Sequence, residues 1–186
     1  MDLTSQPLPG AGAVDLERFT AARYAGIVKH KTAYYSFYLP IACALLMAGV
    51  TDAGALKAAE EILVAMGEYF QIQDDVLDAF APPEVLGKVG TDIQDSKCSW
   101  LVVRALERAD AAQRAALKAN YGRHDDAAVA AVKALYRELG LERLYAEYEE
   151  ATYADLRAKI TASCAQTGVP EEVFLSLLHK IYKRRM

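Results

Sequence analysis

Residues 52–79 read DAGALKAAEEILVAMGEYFQIQDDVLDA, and this stretch decides the fold class. No proline interrupts it, and the Ala, Leu, Glu and Lys that fill it favour helix. Asp52 stands before the apolar-periodic run as an N-cap residue does, so the spacing predicts a helix from Asp52 to Ala79. At about 100° per residue, Gln71, Asp74, Asp75 and Asp78 fall within an arc of roughly 100° and share one face. Three carboxylates that close repel one another, and like charges four residues apart cost an isolated helix about 0.2–0.5 kcal/mol per pair. A hard divalent cation such as Mg²⁺, which takes one or two carboxylates and completes its shell with water and phosphate oxygens, would offset that repulsion. The same residues also fit a solvated acidic helix end. Gly67 projects from this face one turn earlier and costs up to about 1 kcal/mol relative to Ala; its missing side chain could leave room for a ligand.

The segments on either side follow the same pattern. Glycine and proline are sparse, and further helices are predicted at Asp15–Ala48, bent near Pro40, and at Ser96–Glu107, Asp110–Asn120, Asp125–Leu139, Leu141–Gln166 and Pro170–Tyr182. Asp125 is a further N-cap, Gly140 and Gly168 are C-terminal stops, and Pro170 suits a first turn. The stretches 4–14 and 81–90 read as non-helical. No strand-like alternation and no internal repeat is present, so an all-α protein follows. At 186 residues it reads as a single domain over 1–186, with an irregular N-terminal segment at 1–14.

A hydrophobic fraction of 53% with 25% charged residues suffices for a core, and a net charge of −4 offers no global attraction to nucleic acid or an anionic membrane. Any anionic ligand must therefore be met by local cations. Cys43, Cys98 and Cys164 are widely spaced and odd in number, which suits a reducing compartment. The most apolar run, Leu39–Val50, is shorter than the roughly 20 residues that span a bilayer. Met1–Val14 lacks the features of a targeting peptide, so the sequence as given reads as cytoplasmic.

Three groups of cations could answer the aspartates. Lys31, Thr32, Tyr35 and Tyr38 make a polar stripe beside Tyr34, Phe37 and Leu39. A lysine there either lines a cavity, where it needs a partner, or snorkels to the surface. In the run Gly87–Lys97, glycines beside Lys88 permit a close backbone approach to an anion, and Lys97 is expected in the first turn of a helix, whose free N–H groups also favour one. Lys180, Lys183, Arg184 and Arg185 form a basic tail that is either a solvated terminus or a phosphate contact.

Together these strings resemble the farnesyl diphosphate synthase family of trans-prenyltransferases. The matching segments are Ile27–Pro40 (IVKHKTAYYSFYLP), Met66–Asp78 (MGEYFQIQDDVLD), Gly87–Val103 (GKVGTDIQDSKCSWLVV) and Lys180–Arg185 (KIYKRR), in the family's order and spacing. The resemblance implies an isoprenoid-synthase-type helical bundle around a deep cavity, a dimer formed through helices, and no membrane span. It implies the Mg²⁺-dependent condensation of an allylic diphosphate, dimethylallyl or geranyl, with isopentenyl diphosphate to give farnesyl diphosphate. By the same resemblance Asp74 is the direct metal ligand, with Asp75 and Asp78 in supporting or water-mediated roles. Lys31 and Lys88 grip the allylic diphosphate, and Thr32 and Gln71 face the developing allylic cation. Tyr35 lines that pocket; Phe70, Lys97, Arg184 and Arg185 border the substrate diphosphates. The family's first aspartate-rich motif, which shares the metals, has no counterpart in this sequence, and Asp125-Asp126 cannot replace it. The resemblance is thus to the C-terminal portion, and the chain alone is expected to be inactive or weak. Two alternatives remain at this point: a non-catalytic subunit that pairs with a full-length prenyltransferase, and a class I terpene cyclase, against which the matches at Gly87–Val103 and Lys180–Arg185 speak.

Overall fold

The structure is a computed structural model that describes residues 14–184. The expectation for the N-terminal segment therefore lies largely outside the described residues, as does the role assigned to Arg185. A 3₁₀ turn at Leu16–Arg18 precedes α1 (Ala21–Val28), a π-helix (Lys29–Tyr38) and α2 (Leu39–Met47). Then come α3 (Ala53–Phe80), α4 (Pro83–Leu86), α5 (Trp100–Arg108), α6 (Ala111–Asn120), α7 (Asp126–Glu138), α8 (Leu141–Thr167) and α9 (Glu172–Ile181). Among the described residues there is no strand, and no helix is long and apolar enough to cross a membrane.

The caps work as their residue types dictate. Asp52 Oδ2 accepts from Ala55 N at 2.7 Å, and Asp125 Oδ1 from Ala128 N at 2.8 Å. Asp110 and Gln113 close a reciprocal capping box at the start of α6. Each such cap contributes about 1 kcal/mol by satisfying a backbone donor that the helix leaves open.

Four expectations are corrected. The helix expected from Asp15 starts at Ala21, after a 3₁₀ turn capped by Asp15. Nor is the expected helix a single α-helix up to Pro40: a π-helix precedes the proline, and α2 runs on through it with Tyr38 and Leu39 in right-handed helical dihedrals. The adjustment lies before it, where the Leu39 N–H reaches back five residues to the Tyr34 carbonyl. Proline offers no N–H to the carbonyl four residues earlier, and a wider π register is one way for a helix to absorb the misfit. Further along, the helix expected from Ser96 starts at Trp100, with Ser99 as N-cap. Finally, the stretch 81–90 holds one helical turn, α4.

The described residues divide into two compact units, one of residues 14–27 and 72–145 and the other of 28–71 and 146–184. In the second unit one apolar cluster joins Leu63, Met66 and Tyr69 of α3 to Leu156 and Ile160 of α8 and to Phe174 and Leu178 of α9. Each such side chain contributes about 1.5–3 kcal/mol on burial. Inside this unit the buried Tyr69 hydroxyl donates to Glu149 of α8 at 2.7 Å, so the polar tip of the ring has a partner. In the first unit Trp100, Leu101, Val102 and Val103 of α5, Leu117 of α6 and Val132 and Tyr136 of α7 are buried.

Candidate active site

The expected site residues fall in both units. The first holds Asp74, Asp75, Asp78, Lys88 and Lys97; the second holds Lys31, Thr32, Tyr35, Phe70, Gln71 and Arg184.

In the first unit the end of α3 organises the chain that follows it. Asp75 is buried, and its Oδ2 accepts from the Tyr24 hydroxyl at 2.8 Å and from Trp100 N at 2.7 Å. One carboxylate thereby ties α1 and the start of α5 to α3. Asp78 is buried too, and its two oxygens accept from Thr91 N at 3.3 Å and Asp92 N at 3.0 Å. Lys88 Nζ lies 3.7 Å from Asp78, with a side chain 59% exposed against 4% for the aspartate. Asp74 is only half-buried.

Gly90 has a different task from the one expected of it. A Cβ there would stand 1.9 Å from the Asp78 carbonyl oxygen, so its backbone presses against the end of α3. Lys97 is likewise not in the first turn of a helix, since α5 begins three residues later; its ammonium pairs with Asp92 at 3.1 Å.

Asp92 was not among the expected site residues. Its carboxyl is pushed above the usual carboxylate range, first by burial and then by the negative charge of Asp78, with Lys97 opposing and Asp74 adding to the rise. The signal available in the sequence was its position two residues after a glycine that has to pack on the aspartate helix. Asp74, Asp78 and Asp92 thus concentrate negative charge at the end of α3, partly offset by Lys88 and Lys97. Among the described residues no three His, Cys or carboxylate side chains converge as a ligand cluster. Mg²⁺ needs fewer, since one or two carboxylates suffice when water and phosphate oxygens complete the shell. The half-buried Asp74 and the crowded charge beside it fit such an ion.

In the second unit the π-helix presents Lys31 and Tyr35 to solvent, Tyr35 at 63% exposure, and buries Thr32. The Thr32 hydroxyl donates to Gln71 Oε1 at 2.6 Å, which fixes the orientation of that amide. Gly67 leaves no room for a ligand: an added Cβ would meet Ala33 Cα at 2.5 Å, so the glycine lets α3 seat against the π-helix. Phe70 packs on Phe37 with ring centroids 5.5 Å apart, and the Arg184 guanidinium lies 4.3 Å above the Phe70 ring. The end of the chain is held further by Tyr182 and Lys183, both bonded to Glu150.

Comparison with known proteins adds to this geometry. The family model described as polyprenyl synthetase matches residues 1–139. The chain belongs to that family. It is 50% identical over 184 residues to the farnesyl pyrophosphate synthase of Saccharomyces cerevisiae, covering 99% of this chain and 51% of that protein. To the human farnesyl pyrophosphate synthase it is 54% identical over 185 residues, covering 100% of this chain and 43% of that protein. Among solved structures, a T. brucei farnesyl diphosphate synthase complexed with minodronate superposes with a TM-score of 0.87 at 40% identity, covering 100% of this chain and 51% of that one. The risedronate complex of the T. brucei synthase gives a TM-score of 0.86 at 41% identity, covering 99% of this chain and 52% of that one. The chain thus has the all-α isoprenoid synthase fold and spans about half the length of the curated relatives it matches.

Proposed function

We propose that this chain supplies the second aspartate-rich, diphosphate-binding portion of a prenyltransferase that condenses an allylic diphosphate with isopentenyl diphosphate to give farnesyl diphosphate. The observation that carries the reading is the end of α3, where Asp78 holds the loop that bears Lys88 and Lys97 while Asp74 remains half-buried. Residues of this kind suit a substrate that must lose a diphosphate: the leaving group departs only as its charge is neutralised.

Asp74 would hold Mg²⁺, with Asp78 and Asp92 adding negative charge nearby. When bound, the metal supplies Lewis-acid neutralisation of the leaving diphosphate. Lys88 and Lys97 contribute positive charge to the same oxygens, each kept close by a carboxylate, Asp78 and Asp92 respectively. Lys31 adds a further cation for the allylic diphosphate. Gln71, its amide oriented by Thr32, offers a fixed dipole rather than a mobile one to the allylic cation, and fixed dipoles cost no reorganisation as charge develops. Tyr35 lines the pocket for that cation. Phe70, with Arg184 stacked on it, borders the isopentenyl diphosphate.

A chimera tests this reading. In the Saccharomyces cerevisiae synthase, the region aligned with this chain is replaced by these 186 residues and formation of farnesyl diphosphate is measured in Mg²⁺. The chimera is expected to turn over and to lose its activity when Asp74→Asn is introduced. A folded chimera without activity, or one indifferent to Asp74→Asn, overturns the proposal.

A further inference from the structure

The loop between α4 and α5 is held from a third side. Asp78 fixes its start through Thr91 N and Asp92 N, and Asp75 fixes its end through Trp100 N. Its middle is bonded to the C-terminal end of α6, a region outside every motif discussed above. The Tyr121 hydroxyl donates to the Lys97 carbonyl at 2.6 Å, and Gly122 N donates to the Ile93 carbonyl at 3.0 Å. Between these two bonds lies Ser96, buried and with φ at +56°, in the left-handed region that non-glycine residues rarely adopt. Such a conformation persists only where its surroundings impose it. A Cβ at Gly122 would lie 2.3 Å from Ser96 Oγ, so the strained residue rests directly on this glycine. Tyr121 is itself fixed, buried and edge-on to Phe19 at 5.9 Å between centroids. Its phenol is pushed well above the ordinary tyrosine range, first by burial and then by the neighbouring Tyr136.

We propose that Tyr121 and Gly122 are positioning residues: by holding the Lys97 and Ile93 carbonyls they reinforce the turn at Ser96, which Ser96 N to the Ile93 carbonyl at 3.3 Å and Lys97 N to the Asp92 carbonyl at 3.0 Å close from within, and so set where the Lys97 ammonium stands for an incoming diphosphate. This rests on the reading of Lys97 as a diphosphate contact. The brace itself does not depend on that reading. Without it the turn relaxes, Lys97 samples many positions, and the ordering of the loop falls on the binding step.

The test is Tyr121→Phe, which keeps the ring and removes the hydroxyl, together with its contacts to the Lys97 carbonyl and to the Ser99 and Tyr136 side chains, in the 186-residue chain. Two quantities are measured: the affinity for inorganic diphosphate in saturating Mg²⁺ by calorimetry, and amide hydrogen exchange of the peptide spanning 91–99. Losing this buried hydroxyl is expected to weaken diphosphate binding and speed exchange of that peptide by at least about tenfold each. Gly122→Ala, which displaces Ser96, is expected to do the same. Val132→Ala, a core truncation in α7, is the comparison: it lowers Tm without changing the loop's exchange or the diphosphate affinity. Wild-type exchange in Tyr121→Phe, or a loss matched by Val132→Ala, overturns the brace. If the unaltered chain binds no diphosphate, the functional reading falls, and the exchange of the loop still decides whether α6 holds it.

Discussion

Replacing Gly90 with alanine separates two accounts of the glycines beside Lys88. If they serve only to bring the backbone close to an anion, a methyl group at Gly90 should disturb ligand binding and leave the fold alone. The packing argues otherwise. The new Cβ would lie 1.9 Å from the Asp78 carbonyl oxygen and 2.9 Å from its carboxyl carbon, whereas ordinary contact begins at 3.4 Å. The loop must therefore retreat by roughly 1.5 Å, which carries Thr91 N and Asp92 N, now 3.3 and 3.0 Å from Asp78, out of hydrogen-bonding range. Hydrogen bonds to ionised groups contribute about 1.5–3 kcal/mol each, and the buried carboxylate left behind is costly, so a loss of about 3–5 kcal/mol is expected. At roughly 2–4 °C per kcal/mol for a chain of this size, Tm should fall by about 10 °C. Gly87→Ala is the internal standard. Gly87 has φ of +72° with nothing within 4 Å of an added Cβ, so only the left-handed backbone penalises it, by about 1–2 kcal/mol. Urea unfolding followed by circular dichroism measures both. A Gly90→Ala chain as stable as Gly87→Ala would refute the packing argument.

Tyr24→Phe removes one donor to the buried Asp75 and is expected to cost about 1–3 kcal/mol in urea unfolding; Asp75→Ala, which strands the Tyr24 hydroxyl and Trp100 N together, should cost more. Leu63→Ala, in the fully buried cluster of the second unit, is expected to cost about 2–5 kcal/mol and leave any diphosphate affinity unchanged, measured by unfolding and calorimetry together. The end of the chain should loosen in acid. Lys183 first and then Tyr182 hold the Glu150 carboxyl below its ordinary value. A depressed carboxylate contributes stability that is present above the unfolded value, 4.5, and is lost as pH falls through the folded one. The protection of the amides of residues 182–184, taken as exchange relative to the intrinsic rate at each pH, should therefore be high at neutral pH and fall in acid, and Glu150→Gln should give the low protection at both.

The helix starts at Asp52, Asp110 and Asp125 were legible because each cap is a bond between a side chain and a backbone donor three residues on, and such bonds depend only on local sequence. The start of α5 was not. Ser96 and Ser99 both suit an N-cap, and the choice is made by Asp75, twenty-five residues away, which claims Trp100 N. The π-helix left no local mark except Pro40, which ends the run of backbone donors just beyond the ten residues in π register. Among the site residues, the aspartates were visible as a stripe because a helix repeats its face every three or four residues. The work of Asp75 and Asp78, holding Trp100 and the loop at 91–92, depends on long-range contacts that periodicity does not encode. Gly67 was read as room for a ligand and Gly90 as permitting a close backbone approach to an anion, yet both mark places where one backbone presses on another, at Ala33 and at Asp78. Asp92 was quoted in its string but not singled out, since only burial beside Asp78 makes its charge unusual.

The central claim is that the end of α3 and the loop beyond it form a metal-dependent diphosphate site. Calorimetric titration of the 186-residue chain with inorganic diphosphate tests it most directly, with and without Mg²⁺. Binding should require Mg²⁺ and should weaken by at least about tenfold in Asp74→Asn and in Lys88→Ala, the scale expected for one lost charge-assisted contact. Binding that is absent in Mg²⁺, or that persists unchanged in both variants, would contradict it.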